Sequence, residues 1–84
     1  MDIIARDGST VVFVEVKARV GCQFGAGVEA VTRLKRRRMT AMALDYLARH
    51  FLTECPCRFD VVSIGLRDGA PVIEVYQNAF DAEW

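Results

Sequence analysis

Long apolar runs are missing from this chain. None approaches the roughly 20 residues that a membrane-spanning helix needs, and nothing at Met1 has the basic, apolar, small-residue order of a secretory leader. The cytoplasm is therefore the expected compartment, with no membrane partner. Cysteine is scarce and odd in number: Cys22, Cys55 and Cys57, in a chain without a leader, exclude a disulfide framework. Together with the single histidine, His50, they would supply four zinc donors. However, Cys55-Pro56-Cys57 lacks the two-residue gap of a zinc knuckle, and His50 falls where a helix should be ending. Free thiols are the expectation. Net charge is also absent, with eleven basic residues against eleven acidic ones.

What is present is apolar sequence. At 52% hydrophobic residues, the chain is too rich for disorder, and residues 1–84 make one small domain with a thin margin of stability. The charges, though balanced, are unevenly placed. Between Lys17 and Arg38 lie seven bases (Lys17, Arg19, Arg33, Lys35, Arg36, Arg37, Arg38) against one acid, Glu29; from Asp68 onward there are four acids and no base. Such asymmetry points to one polyanion-facing side.

The run Phe13-Val14-Glu15-Val16-Lys17 interrupts an apolar strand with a carboxylate and an amine two positions apart. In a strand these leave the sheet on the same face, roughly 7 Å apart. Upstream, Asp2 opens the short run Ile3-Ile4-Ala5, and Asp7-Gly8 between the two runs is a hairpin signal. A two-residue turn at Asp7-Gly8 pairs Arg6 with Ser9 and Asp2 with Phe13, and a four-residue loop pairs Arg6 with Val11 and Asp2 with Glu15. Both registers put Asp2 on the face of Glu15 and Lys17. The odd register sets Asp2 among the valines, where an unpaired carboxylate is costly. The plainer account of Glu15 and Lys17 is a surface ion pair of little energetic weight. Their flank argues otherwise: Val11-Val12-Phe13-Val14 is apolar on both faces, as in strands buried on both sides. They also sit at the strand's C-terminal end, where open α/β sheets place ligands.

The loop Gly21-Cys-Gln-Phe-Gly-Ala-Gly27 links strand to helix, but its glycine spacing is not that of a phosphate loop and no Gly-Lys-Ser/Thr follows. A connection that can lie over a bound backbone is the expectation. Val31, Leu34, Met39, Met42, Tyr46, Leu47 and Phe51 recur near 3.6 residues per turn, which predicts a helix from about residue 33 to 51 with Thr32 as its N-cap. Lys35-Arg36-Arg37-Arg38 crowds its first half, at the positive end of the helix dipole. No acid at i±4 relieves Lys35, Arg36 or Arg38, whereas nucleic-acid phosphates would. Arg58–Leu66 reads as a third strand, turned by Asp68-Gly69 into a fourth, Pro71–Gln77. The crossover helix makes strands two and three parallel, so the fold class is α/β: a mixed sheet in ββαββ order. One helix cannot cover a two-sided sheet. Cover for Ile4, Val11 and Phe13 must come from the tail Asn78–Trp84, another subunit or a further segment; without it, the chain is expected to self-associate, as a homodimer for instance, or to unfold easily.

Asp2-Ile-Ile-Ala, Val12-Phe-Val-Glu-Val-Lys-Ala-Arg19, Glu29-Ala-Val31, the basic helix ending in Tyr46-Leu47, Cys57-Arg-Phe-Asp-Val-Val62 and Asn78-Ala-Phe80 together resemble the YraN-type bacterial proteins. That family looks like the restriction-endonuclease superfamily, close to archaeal Holliday-junction resolvases. The resemblance implies an αβββαβ nuclease core with Asp2, Glu15 and Lys17 in a metal-dependent active site. Asp2 and Glu15 would bind Mg²⁺ or Mn²⁺, and Lys17 would orient the attacking water. Arg19, Arg33 and the Lys35–Arg38 run would hold a nucleic-acid backbone, DNA being the expected partner. The family pattern has Gly-Glu-Ile-Asp where this chain begins Met1-Asp2, preceded by a helix and a strand. The expectation is an endonuclease-like core lacking those first elements, with nuclease activity confined to a longer form. The alternative is a non-catalytic nucleic-acid-binding or protein-interaction module that retains only the fold.

Overall fold

The computed structural model describes residues 2–18 and 32–82. In chain order these form β1 (Asp2–Asp7), β2 (Thr10–Ala18), α1 (Arg33–Arg49), β3 (Cys57–Arg67) and β4 (Ala70–Phe80). The strands make one sheet in the order β1-β2-β3-β4. The outer pairs are antiparallel hairpins and the central pair, β2–β3, is parallel across the helical crossover. The ββαββ order expected from the sequence is therefore present. Arg19, the glycine-rich stretch with Cys22, Val31 and Trp84 lie outside the described residues.

Both hairpins turn where Asp-Gly stands. In the first, Asp7 pairs with Thr10 around Gly8 and Ser9, and Gly8 takes a φ of +60°, open to it because it has no Cβ. Arg6 then meets Val11, Ile4 meets Phe13 and Asp2 meets Glu15, the second of the two even registers. In the second, Arg67 pairs with Ala70, and Asp68 and Gly69 both adopt positive φ, 51° and 78°. That is the twist-matched hairpin turn this dipeptide favours.

Helix α1 lies on the sheet face that carries Val11, Phe13 and Glu15. Val11, Phe13 and Phe59 pack there against Met39, Ala43 and Leu47, spaced four apart on the helix. Phe13 is fully buried, with Tyr46 edge-on at 6.0 Å between ring centroids and Phe59 tilted at 5.6 Å. Phe80 stacks on Phe59 at 5.0 Å and closes the same core from β4. The sequence led us to expect cover for Ile4, Val11 and Phe13 from the tail Asn78–Trp84, another subunit or a further segment. The helix buries Val11 and Phe13, Phe80 and Ala82 of that tail pack against the same core, and Ile4 stays 37% exposed. Among the described residues, no helix lies over the other face, with Val14 and Val16 on β2, Val62 and Ile64 on β3, and Ile73 and Val75 on β4. A period-two pattern tells which residues share a face; it does not tell which face the crossover helix will take.

The helix begins as expected. The Thr32 hydroxyl accepts from the Lys35 amide at 3.2 Å, satisfying a donor the first turn leaves over. Its end differs. The amide of Leu52 donates to the Leu47 carbonyl at 2.8 Å and that of Phe51 to Ala48 at 3.4 Å, the paired bonds of a Schellman ending. Phe51 occupies its left-handed position at φ 56° and is 94% exposed, so it leaves the apolar stripe it was expected to extend. Leu34, on the first turn, is likewise exposed. Glycine is the residue that this left-handed position favours. Phe51→Gly is therefore expected to raise stability by about 1 kcal/mol, measured by urea unfolding.

Candidate functional site

Glu15 sits on β2 three residues before the strand ends at Ala18, on the helix-covered face, and is only 4% exposed. Lys17 follows on that face, half-buried, and pairs in register with Ser63 of β3. Asp2 stands opposite Glu15 in backbone register, at the start of β1; its side chain lies outside those described. The backbone thus brings all three predicted positions to one end of the β1–β2 pair. Burying a glutamate in this way requires a positive partner.

That partner comes from the basic helix. The Lys35 ammonium lies 3.3 Å from Glu15 Oε2, reaching down from the first turn of α1. A helix that crosses back over a parallel pair starts above the strands' C-terminal ends, so residue 35 is delivered to residue 15 by topology alone. Lys35 was expected to lack a counter-charge because none stands at i±4. The sheet supplies it from far along the chain. The other basic side chains differ in setting: Arg33, Arg37 and Arg38 are exposed and Arg36 is half-buried. Behind them, the Thr40 hydroxyl is buried and donates to the Arg36 carbonyl at 2.8 Å.

The polar surface continues across the sheet, which the sequence reading missed. Lys17, Ser63 and Glu74 stand in one row through β2, β3 and β4, and Glu15, Val61 and Tyr76 in the next. Ser63 is buried, and the Tyr76 hydroxyl donates to Glu74 Oε2. Glu74-Val75-Tyr76 repeats the i, i+2 spacing that singled out Glu15 and Lys17, so the same strand periodicity would have found it. Among the described residues, no group of three histidine, cysteine, aspartate or glutamate side chains is arranged to hold a metal.

A second buried acid serves the sheet itself. Asp60, on the face away from the helix, accepts from the Arg58 guanidinium at 3.1 and 3.2 Å and from the Asn78 amide at 2.9 Å. Asn78 lies beside an irregularity in the β3–β4 pairing, with φ 51°, and there its N–H turns to the Asp60 carboxylate. Arg58 also reaches Asp7 at 2.9 Å, and these carboxylates, Asp60 first, hold the guanidinium even more firmly protonated than usual. Beside them a cavity of about 300 Å³ opens between Arg58, Phe59, Asn78, Phe80 and Asp81, at the opposite end of β3 from Ser63. Cys57 at its rim is a free thiol whose pKa burial pushes up, which lowers its reactivity.

Sequence comparison supplies the relatives. The profile of an uncharacterised protein family, UPF0102, matches residues 1–64. A UPF0102 protein of Symbiobacterium thermophilum is 48% identical over 83 residues, which cover 98% of this chain and 70% of that protein. The chain belongs to the UPF0102 family. A second UPF0102 protein, from Geotalea uraniireducens, is 49% identical over 82 residues, 96% of this chain and 65% of its own length. One from Anaeromyxobacter is 40% identical over 83 residues, covering 62% of that protein. The chain thus spans about two thirds of the length of the UPF0102 relatives it matches. The YraN-type resemblance read from the motifs holds at the level of the family.

Proposed function

We propose that this chain carries a nuclease-type site that binds a nucleic-acid backbone, DNA in the first instance, and supports metal-dependent phosphodiester hydrolysis of the resolvase kind. The observation that supports it is the setting of Glu15: a 4% exposed carboxylate at the end of a central strand, facing Asp2 in register and two residues from Lys17. In donor chemistry, two carboxylates from adjacent strands fit a hard cation that keeps several waters and takes a phosphate oxygen. Mg²⁺ or Mn²⁺ bound by Asp2 and Glu15 would supply charge neutralisation and a more acidic water. Lys17 would hold that water and the phosphate in line, while Arg33, Arg36, Arg37, Arg38 and Arg19 would grip flanking phosphates.

A second reading, a non-catalytic nucleic-acid-binding or interaction module, has one observation in its favour. Lys35 already provides Glu15 with a positive partner at 3.3 Å, so the carboxylate is stable without a cation. Thermal melts with and without Mg²⁺ or Mn²⁺ separate the two. Under the nuclease reading the cation raises the Tm of the wild type and leaves Glu15→Ala unmoved. Equal shifts in both would discard the metal site. The basic helix is tested by anisotropy titration. Combined Arg36→Ala, Arg37→Ala and Arg38→Ala should weaken DNA binding whatever the sequence. The slope of log K against log salt should fall by about 2 to 3, one counterion per lost phosphate contact. Unchanged affinity would reduce the run to a solvated helix face.

A further inference from the structure

The sheet face opposite α1 carries more apolar surface than its solvent exposure should allow. Ile3, Ile64, Leu66, Ile73 and Val75 are between 37% and 63% exposed, and strand pairing places all five on that face. Together they present on the order of 500 Å² of hydrocarbon, near the top of what monomers leave bare. The fold is thin as well, 16 Å across its shortest Cα dimension, with a radius of gyration of 13.7 Å. A compact domain of this length has about 12 Å.

We propose that a second copy of this chain covers this face, so that the two sheets pack face to face about a twofold axis. Three observations support a copy as the occupant. The area is roughly two thirds of one partner's share in a standard interface, and the half-buried Val14, Val16 and Val62 between these residues add to it. Charge on the face is low and mostly paired: Arg58 is held between Asp60 and Asp7, which leaves one net negative charge per copy, at the exposed Asp7 on the rim. A nucleic acid or an anionic lipid surface would instead want unneutralised cations around the patch. Finally, the surface is a flat array of β-branched and leucine side chains, self-complementary as an isologous contact requires. Pairing through this face leaves both basic helices pointing outward on opposite sides of the dimer.

Sedimentation equilibrium across 5–200 µM tests it. The wild type should weigh twice the 9.4 kDa chain. Combined Ile73→Lys and Val75→Lys should weigh one chain and keep the wild-type circular dichroism. Leu44→Lys, at an exposed position on the helix, should remain a dimer. Should the double variant fail to fold, Val75→Thr takes its place, with a dimer dissociation constant raised at least tenfold, because the loss counts once per copy. A wild type that stays monomeric at 200 µM overturns the proposal. So does a folded double variant that still dimerises, or a Val75→Thr dimer of unchanged affinity.

Discussion

Replacing Lys35 by methionine will destabilise the fold by about 2 kcal/mol, and a divalent cation will restore much of the loss. Breaking a fully buried ion pair by removing one member costs about 3–5 kcal/mol. The figure here is smaller because the Lys35 side chain keeps 30% of its exposure, while Glu15 keeps only 6%. In a domain this size about 2 kcal/mol lowers the Tm by roughly 10 °C. Methionine retains the stem that lies against the sheet, so the loss reports the charge. Mg²⁺ or Mn²⁺ at a hundredfold excess over its dissociation constant would return about 2.7 kcal/mol. Urea melts of wild type, Lys35→Met and Lys35→Met/Glu15→Gln measure both effects. A Lys35→Met protein as stable as the wild type would show that the pair has no weight. Loss without cation rescue would favour the binding module over the nuclease.

Asp60→Ala should be the more damaging change, costing about 3–4 kcal/mol. It strips the Arg58 guanidinium of its principal acceptor and the Asn78 amide of the carboxylate to which it donates. The site is 4% exposed, so water is poorly placed to substitute. Against a margin of ~5 kcal/mol for so small a domain, the variant should be close to unfolding at 25 °C. Asp60→Asn keeps an acceptor for Asn78 and loses only the charge, so it should fall about midway between the two. Equilibrium unfolding in urea orders the three proteins. An Asp60→Ala variant within 1 kcal/mol of the wild type would mean that the β3–β4 irregularity does not depend on this carboxylate.

Much of the architecture could be read from the chain because its signals are local. The Asp-Gly pairs announced both hairpins, Thr32 announced the helix start, and strand alternation put Glu15 and Lys17 on one face. Local rules stopped at three places. Two even registers satisfied the same alternation, and only the assembled sheet chose Asp2 opposite Glu15. The helical period carried on through Phe51, because nothing in spacing reveals that the backbone there turns left-handed. Lys35 was judged by its neighbours on the helix, whereas its counter-charge came from a strand brought under it by the crossover. Asp60 was legible in principle: an acid inside Phe59-Asp60-Val61-Val62 must find donors, and the sequence does not name them. The uncovered face was anticipated and assigned to the wrong side, since a strand apolar on both faces is symmetric until the crossover is drawn.

The parallel joint between β2 and β3 also governs how fast the molecule assembles. Each hairpin closes around a two-residue turn, an event of microseconds. The two become one sheet only when Val11 finds Cys57 and Phe13 finds Phe59, partners separated by the whole crossover. Closing that span has an entropic cost before any contact across it offsets the loss. The rate of folding therefore resides in the Phe13–Phe59 seam, and because the turns at Gly8 and Gly69 are already closed when that seam forms, weakening them slows folding more than it speeds unfolding.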